Sequence, residues 1–206
     1  MKTAPQLRGL LILALVMLMV SGCAQRTVVV DRETDDADPT LALEYRDFEF
    51  AAMEAVDSLL KSGVVDHPDD KRYVMAVSRV TNDTMQRIDT DQLIRKVRIA
   101  LLQSGKVVTT SAVSAEGAQD ELLDEVRRLR GSEEFRSDTQ VEKGTLISPD
   151  FSLSGKILQR NIDRDRKTQQ VEYYFQLVLT DLRDGLAVWE NETPIIKRGS
   201  NRSVAW

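Results

Sequence analysis

The chain has 206 residues, 42% of them apolar and 30% charged, a formal net charge of −5, one cysteine and one histidine. This composition is globular, and the acidic balance argues against non-specific nucleic-acid binding through a basic surface. A single cysteine excludes an intrachain disulfide framework or a multi-cysteine zinc site, and a single histidine excludes a multi-histidine metal centre.

The N-terminus sets the compartment. Lys2 and Arg8 precede an uninterrupted apolar run from Leu10 to Val20. A membrane span needs about 20 apolar residues, so this shorter run reads as the core of a secretory signal over residues 1–22. Val20-Ser21-Gly22-Cys23 follows and resembles a bacterial lipobox. The small residues fit a narrow peptidase site, and the thiol is the nucleophile that takes up diacylglycerol. Cys23 is therefore the expected lipidation site. The alternative is a soluble secreted protein in which Cys23 is incidental. Ala24 stands where an aspartate commonly retains such proteins in the inner membrane, so the resemblance implies the outer membrane, facing the periplasm. Losing Lys2 and Arg8 with the signal takes the formal charge from −5 to −7.

Residues 23–41 read as an acidic tether, with Asp31, Glu33, Asp35, Asp36 and Asp38 close together. Fully extended, residues 24–40 reach at most roughly 55–60 Å. Val28-Val29-Val30 can instead pair as a short strand.

Residues 42–206 are expected to form one α+β domain, a mixed or antiparallel sheet of four to five strands packed against three helices. Arg46–Ser62 spaces Phe48, Ala51, Ala52, Ala55, Val56, Leu59 and Leu60 as a helix that Gly63 stops. Tyr73–Val80 is a strand, and Thr81–Asp89 a turn-rich connection. A second helix begins at Asp89 or Thr90, with Leu93, Ile94, Val97, Leu101 and Leu102 on its apolar face, and ends at Gly105. Lys106–Ser111 is a second strand. Ser114–Arg130 is a third helix, packing through Leu122, Leu123, Val126 and Leu129. The charged segment 131–149 shows no period. Phe151–Arg160 is a strand, and Asn161–Thr168 a polar connection. Gln170–Thr180 alternates, with Val171, Tyr173, Phe175, Leu177 and Leu179 on one face and Glu172, Tyr174, Gln176 and Thr180 on the other. Asp184-Gly185 signals a hairpin into a last strand, Leu186–Ile196, with Trp189 in the core.

Few constellations suggest catalysis. His67, among Asp66, Asp69 and Asp70, reads as a solvated loop histidine, because a metal would need further ligands. Alternation puts Ser154 and Lys156 on one sheet face, but nothing singles them out as a nucleophile and its base. Asp163-Arg164-Asp165 lacks the glycine and closing glutamate of a calcium loop. No cofactor, metal or small-molecule substrate is expected. The C-terminal stretch carries Lys197, Arg198, Arg202 and Trp206 in an acidic chain. It reads either as a partner contact, since Trp and Arg dominate interface hot spots, or as a tail whose tryptophan packs on the sheet.

Several segments together resemble the LpoB family of outer-membrane lipoproteins, activators of penicillin-binding proteins. They are Tyr73–Thr84, Asp91–Lys106, Phe151–Ile157, the strand-turn-strand Tyr174–Trp189, and the ending Gly199–Trp206. The resemblance covers residues 42–206. It implies a non-catalytic regulator that docks on a bifunctional penicillin-binding protein and raises peptidoglycan synthesis. No contact residue carries over from the family. Asn82, Asp83, Thr84, Arg198, Arg202 and Trp206 are surface candidates by residue type alone. The alternative is a structural or assembly lipoprotein of a secretion or surface-appendage machine built on the same fold.

Overall fold

A computed structural model describes residues 40–113 and 120–203. Eight elements follow in chain order: α1 (Tyr45–Ser62), β1 (Tyr73–Asp83), α2 (Asp91–Gln103), β2 (Val107–Thr109), α3 (Glu121–Arg128), β3 (Phe151–Asp163), β4 (Thr168–Asp181) and β5 (Ala187–Ser200). The fold is α+β, as the apolar patterning predicts. One mixed sheet runs β2-β1-β3-β4-β5. β1 is parallel to β2 and to β3, while β3, β4 and β5 form an antiparallel meander. The parallel β1–β2 pair needs a crossover, which α2 supplies.

The core lies between the sheet and the pair α1 and α2. Phe48, Ala52, Val56 and Leu59 of α1 and Leu93, Val97 and Leu101 of α2 meet Met75, Leu153, Ile157, Val171, Phe175 and Leu179. Phe48 and Phe175 pack edge to face, 5.9 Å between centroids. α1 ends at Gly63 with φ 74°, a left-handed cap that glycine adopts without strain.

The segment before α1 is tied into the sheet. Leu41 packs over Gly199, the Tyr173 hydroxyl donates to the Leu41 carbonyl at 2.9 Å, and Lys197 Nζ donates to the Ala42 carbonyl at 2.6 Å. Leu43 N–H donates to Gln86 Oε1 at 3.2 Å. Lys197 also pairs with Asp47 in the first turn of α1 at 2.6 Å, with the two side chains only 10% and 14% exposed. Burial pushes the Tyr173 phenol up to about 12.

The structure corrects several expected boundaries. β1 continues through Thr81, Asn82 and Asp83, which were expected to turn, because β3 offers them partners from Lys156 to Leu158. β3 likewise absorbs Asn161–Asp163, leaving a short turn at 164–167. β5 runs on to Ser200, so Lys197 and Arg198 belong to the sheet rather than to a tail. Leu102, expected on the packed face of α2, is 47% exposed. Of the two capping candidates for α2, Asp89 does the work, accepting from Asp91 N–H at 3.0 Å; Thr90 makes no capping bond.

The largest correction concerns α3. The Asp120 side chain caps it at Leu122 N–H, so the helix has only two turns, and none of its residues is buried. Leu122 is 71% exposed, and Val126 lines a shallow depression with Leu129, Phe135 and Val141 instead of joining the core. Residues 114–119 of the expected helix lie outside the described residues. So do residues 1–39 of the signal and tether, including Cys23 and Val28–Val30, whereas Leu41, expected at the end of the tether, is buried in the core.

The Asp184-Gly185 turn forms as expected, with Gly185 at φ 77°. It is braced by Asp181, whose carboxylate accepts from Arg183 N–H at 2.9 Å and from its guanidinium at 2.5–3.2 Å. These bonds hold the Asp181 carboxyl at about 2, against an ordinary 3.8. A folded-state pKa below the unfolded one contributes stability that is complete above about pH 4 and lost as the pH falls through about 2. Asp181→Asn is therefore expected to lower the urea midpoint at pH 6, with the gap from wild type closing between pH 4 and pH 2. A gap that stays constant across that range would mean the carboxylate's charge is not what braces the turn.

Candidate functional site

The helices cover one face of the sheet and leave the other uncovered by either α1 or α2. Because side chains alternate along a strand, the buried set on β4 fixes which residues point away from the helices. They are Gln170, Glu172, Tyr174, Gln176, Val178 and Thr180 on β4, and their partners across the sheet. Leu158, Tyr174 and Pro194 form one row, and Arg160, Glu172 and Ile196 the next. A third row joins Ile162, Gln170 and Arg198. Ile196, on the edge strand β5, is 57% exposed on this surface.

The polar side chains here are locked together. Tyr174 donates its hydroxyl to Glu172 Oε2 at 2.6 Å, and Gln170 Nε2 donates to Glu172 Oε1 at 2.6 Å. The Tyr174 hydroxyl first, then the Gln170 amide, hold the Glu172 carboxyl below its ordinary value. The Glu172 carboxylate in turn raises the Tyr174 phenol. Gln170 is only 2% exposed although it points away from the helices, because Arg164 and Arg198 lie over it. The result is a partly apolar surface with fixed charges. It presents an aromatic ring and arginines, the residue types that anchor protein contacts.

The predicted contact residues separate on this framework. Asp83 pairs with Lys156 at 2.6 Å and shares the open face with Arg198. Asn82 and Thr84 are turned to a structural task. Asn82 Nδ2 donates to the Gln86 carbonyl at 2.8 Å, and Asn82 Oδ1 accepts from the Thr84 N–H and hydroxyl. Arg202 is exposed beyond the end of β5. Trp206 lies outside the described residues. The rest of the surface, from Arg160 through Ile196, was not singled out in the sequence. Its only signal was the second face of the β4 alternation.

The weaker catalytic candidates find ordinary surroundings. His67 Nδ1 accepts from Asp69 N–H at 3.1 Å, and its ring lies 4.7 Å from that of Tyr73. It borders an open depression with Asp70, Lys71 and the ion pair Asp66–Lys106. Ser154 and Lys156 do share the open face, but Lys156 is committed to Asp83. Among the described residues no cluster of three or more acidic, histidine or cysteine side chains is placed to hold a metal. None of the helices described is long and apolar enough to cross a membrane.

Comparison with known proteins adds one decisive finding. A family model described as the peptidoglycan-synthase activator LpoB matches residues 47–195, from α1 into β5. No curated protein sequence matches. Among solved structures, the LpoB C-terminal domain from Salmonella enterica is 13% identical, with a TM-score of 0.41 over 72% of this chain and 98% of that one. Escherichia coli LpoB is 14% identical, with a TM-score of 0.38 over 88% of this chain and 82% of that one. Lipoprotein GNA1162 from Neisseria meningitidis is 15% identical, with a TM-score of 0.37 over 64% and 87%.

Proposed function

The chain belongs to the LpoB family of peptidoglycan-synthase activators, and on that premise we propose an outer-membrane lipoprotein that binds a bifunctional penicillin-binding protein and raises its activity. The observation that carries this reading is the family match across almost the whole domain. The lipobox-like Val20–Cys23 supports anchoring through a lipidated Cys23, with residues 1–22 removed, 23–40 as tether and a working domain that begins at the packed Leu41. Two or three acyl chains on one cysteine give a firm anchor, at about 0.8 kcal/mol per buried CH₂.

Such a protein acts by contact rather than by catalysis. It speeds the synthase only by binding its active conformation more tightly than its resting one, which shifts the population. The open sheet face is the docking surface this reading favours. Tyr174, Ile196 and Pro194 supply apolar area, and Glu172, Arg160 and Arg198 supply directional charge around it.

The test uses the lipidated mature chain in detergent with a purified bifunctional synthase. Co-purification and faster lipid II consumption are the expected results. No association at tens of micromolar would sink the proposal. Ile196→Lys is expected to weaken binding about tenfold or more with the melting temperature nearly unchanged, since a lysine opposite Glu172 is tolerated in water but opposes an apolar partner. Unaltered affinity in that variant would move the docking surface elsewhere.

A further inference from the structure

The open face holds an arrangement that protein packing does not require. Gln170 Oε1, a neutral oxygen, accepts from two arginines at once. Arg164 reaches it with Nε at 3.1 Å and Nη2 at 2.9 Å, and Arg198 with Nε at 3.3 Å and Nη2 at 2.8 Å. Two like charges are thereby drawn to one uncharged atom. Among the described residues neither guanidinium forms an ion pair, and the Nη1 group of each has no partner. Both side chains belong to exposed residues, so these donors face outward.

The amide itself is 2% exposed and fixed at its other end by Glu172. The seat under the two arginines is therefore rigid, and their planes are set before any ligand arrives. Arg160 stands next to Glu172 in the same row, and both it and Arg164 exert an electrostatic pull on that carboxylate. The local charge is three guanidiniums against the single Glu172 carboxylate, an excess of two positive charges. The turn beside them adds Arg166 and Lys167 and, against them, Asp163 and Asp165, all exposed, so the excess stays at two.

We propose that Arg164 and Arg198, seated on Gln170, form a phosphate-binding site on the open sheet face. The chemistry matches in three ways. A guanidinium presents parallel donors that fit the oxygens of a phosphate bidentately. A phosphate monoester carries about −1.5 to −2 charges near neutrality, which balances the local excess. The buried glutamine removes the entropy cost of bringing two long side chains together, a cost usually met at the moment of binding. Arg160 sits close enough in the register to serve as a third, steering charge. The ligand source is either free phosphate, including phosphomonoesters, or the phosphodiester of a lipid headgroup. This inference does not depend on the synthase reading.

The experiment follows the arginine Nε–Hε resonances of the full-length protein in non-ionic detergent at constant ionic strength. The probes are inorganic phosphate, glycerophosphoglycerol as the soluble headgroup, and chloride as control. Saturable displacement of the Arg164 and Arg198 signals by phosphate is expected, with affinity falling about tenfold or more in Arg198→Gln. That position is exposed, so unchanged amide dispersion in the variant will show the fold intact. Tighter binding of inorganic phosphate assigns a free phosphate or monoester. Tighter binding of glycerophosphoglycerol assigns a lipid headgroup. Equal shifts with chloride, a response without saturation, or an Arg164 response untouched by Arg198→Gln would each overturn the proposal.

Discussion

Lys197→Met is expected to destabilise the domain by about 3–5 kcal/mol, because it leaves the Asp47 carboxylate without its partner in a largely buried place. Two further losses accompany it. The Ala42 carbonyl loses its donor, and α1 loses a link to the edge strand of the sheet. Asp47 itself remains bonded to the Glu44 N–H at 2.7 Å, so the helix cap persists while its charge goes uncompensated. Equilibrium urea unfolding near pH 7 measures the loss. The double variant Lys197→Met with Asp47→Leu is expected to recover a large part of it, since replacing both members of a buried pair by apolar groups is far less costly than removing one. A double variant as unstable as the single would mean that lost hydrogen bonds, not the stranded charge, dominate.

Gly155→Ala is the second substitution with a large expected effect. A Cβ at this position would stand 2.4 Å from the Gln176 carbonyl oxygen and 2.6 Å from Leu177 Cδ2. The leucine can rotate away, but the carbonyl is backbone in the neighbouring strand and cannot. Gly155 pairs with Leu177 of β4 on one side and, on the other, with Val80 of β1, just past the register slip between Val77 and Val80. One methyl group is expected to cost about 3 kcal/mol, near the upper end for overpacking. For a domain of this size that is a fall in melting temperature of roughly 6–12 °C. A change under about 2 °C would show that the strands separate there at little cost.

These two residues mark what the sequence could convey and what it could not. Periodicity identified α1 to its last residue, and the β4 alternation named the buried row Val171 to Leu179, because burial on one face leaves a signal within a single segment. Lys197 looked like one cation in a basic tail. Its burial against Asp47 depends on a contact between residues 150 positions apart, which no local pattern records. Gly155 carries no sign of its crowding in the sequence for the same reason. The failure at α3 is instructive in the opposite sense. Leu122, Val126 and Leu129 have helical spacing, and a helix forms, but amphipathicity does not say whether a surface is available to receive it. The open face was half legible. The polar residues of β4 were placed correctly on the outward side, yet the convergence of Arg164 and Arg198 on Gln170 requires β3, β4 and β5 to be aligned first.

The tie between residues 41–43 and the sheet has a mechanical consequence. A pull on the chain from its N-terminal side would load Tyr173 on β4, Lys197 on β5 and Gln86 beyond β1 together, through bonds to the Leu41 carbonyl, the Ala42 carbonyl and the Leu43 N–H. These attachments lie on three separate segments, so they share the strain instead of opening one after another like a zipper. Force-ramp unfolding from the N-terminus should accordingly show a single rupture, with no early detachment of α1.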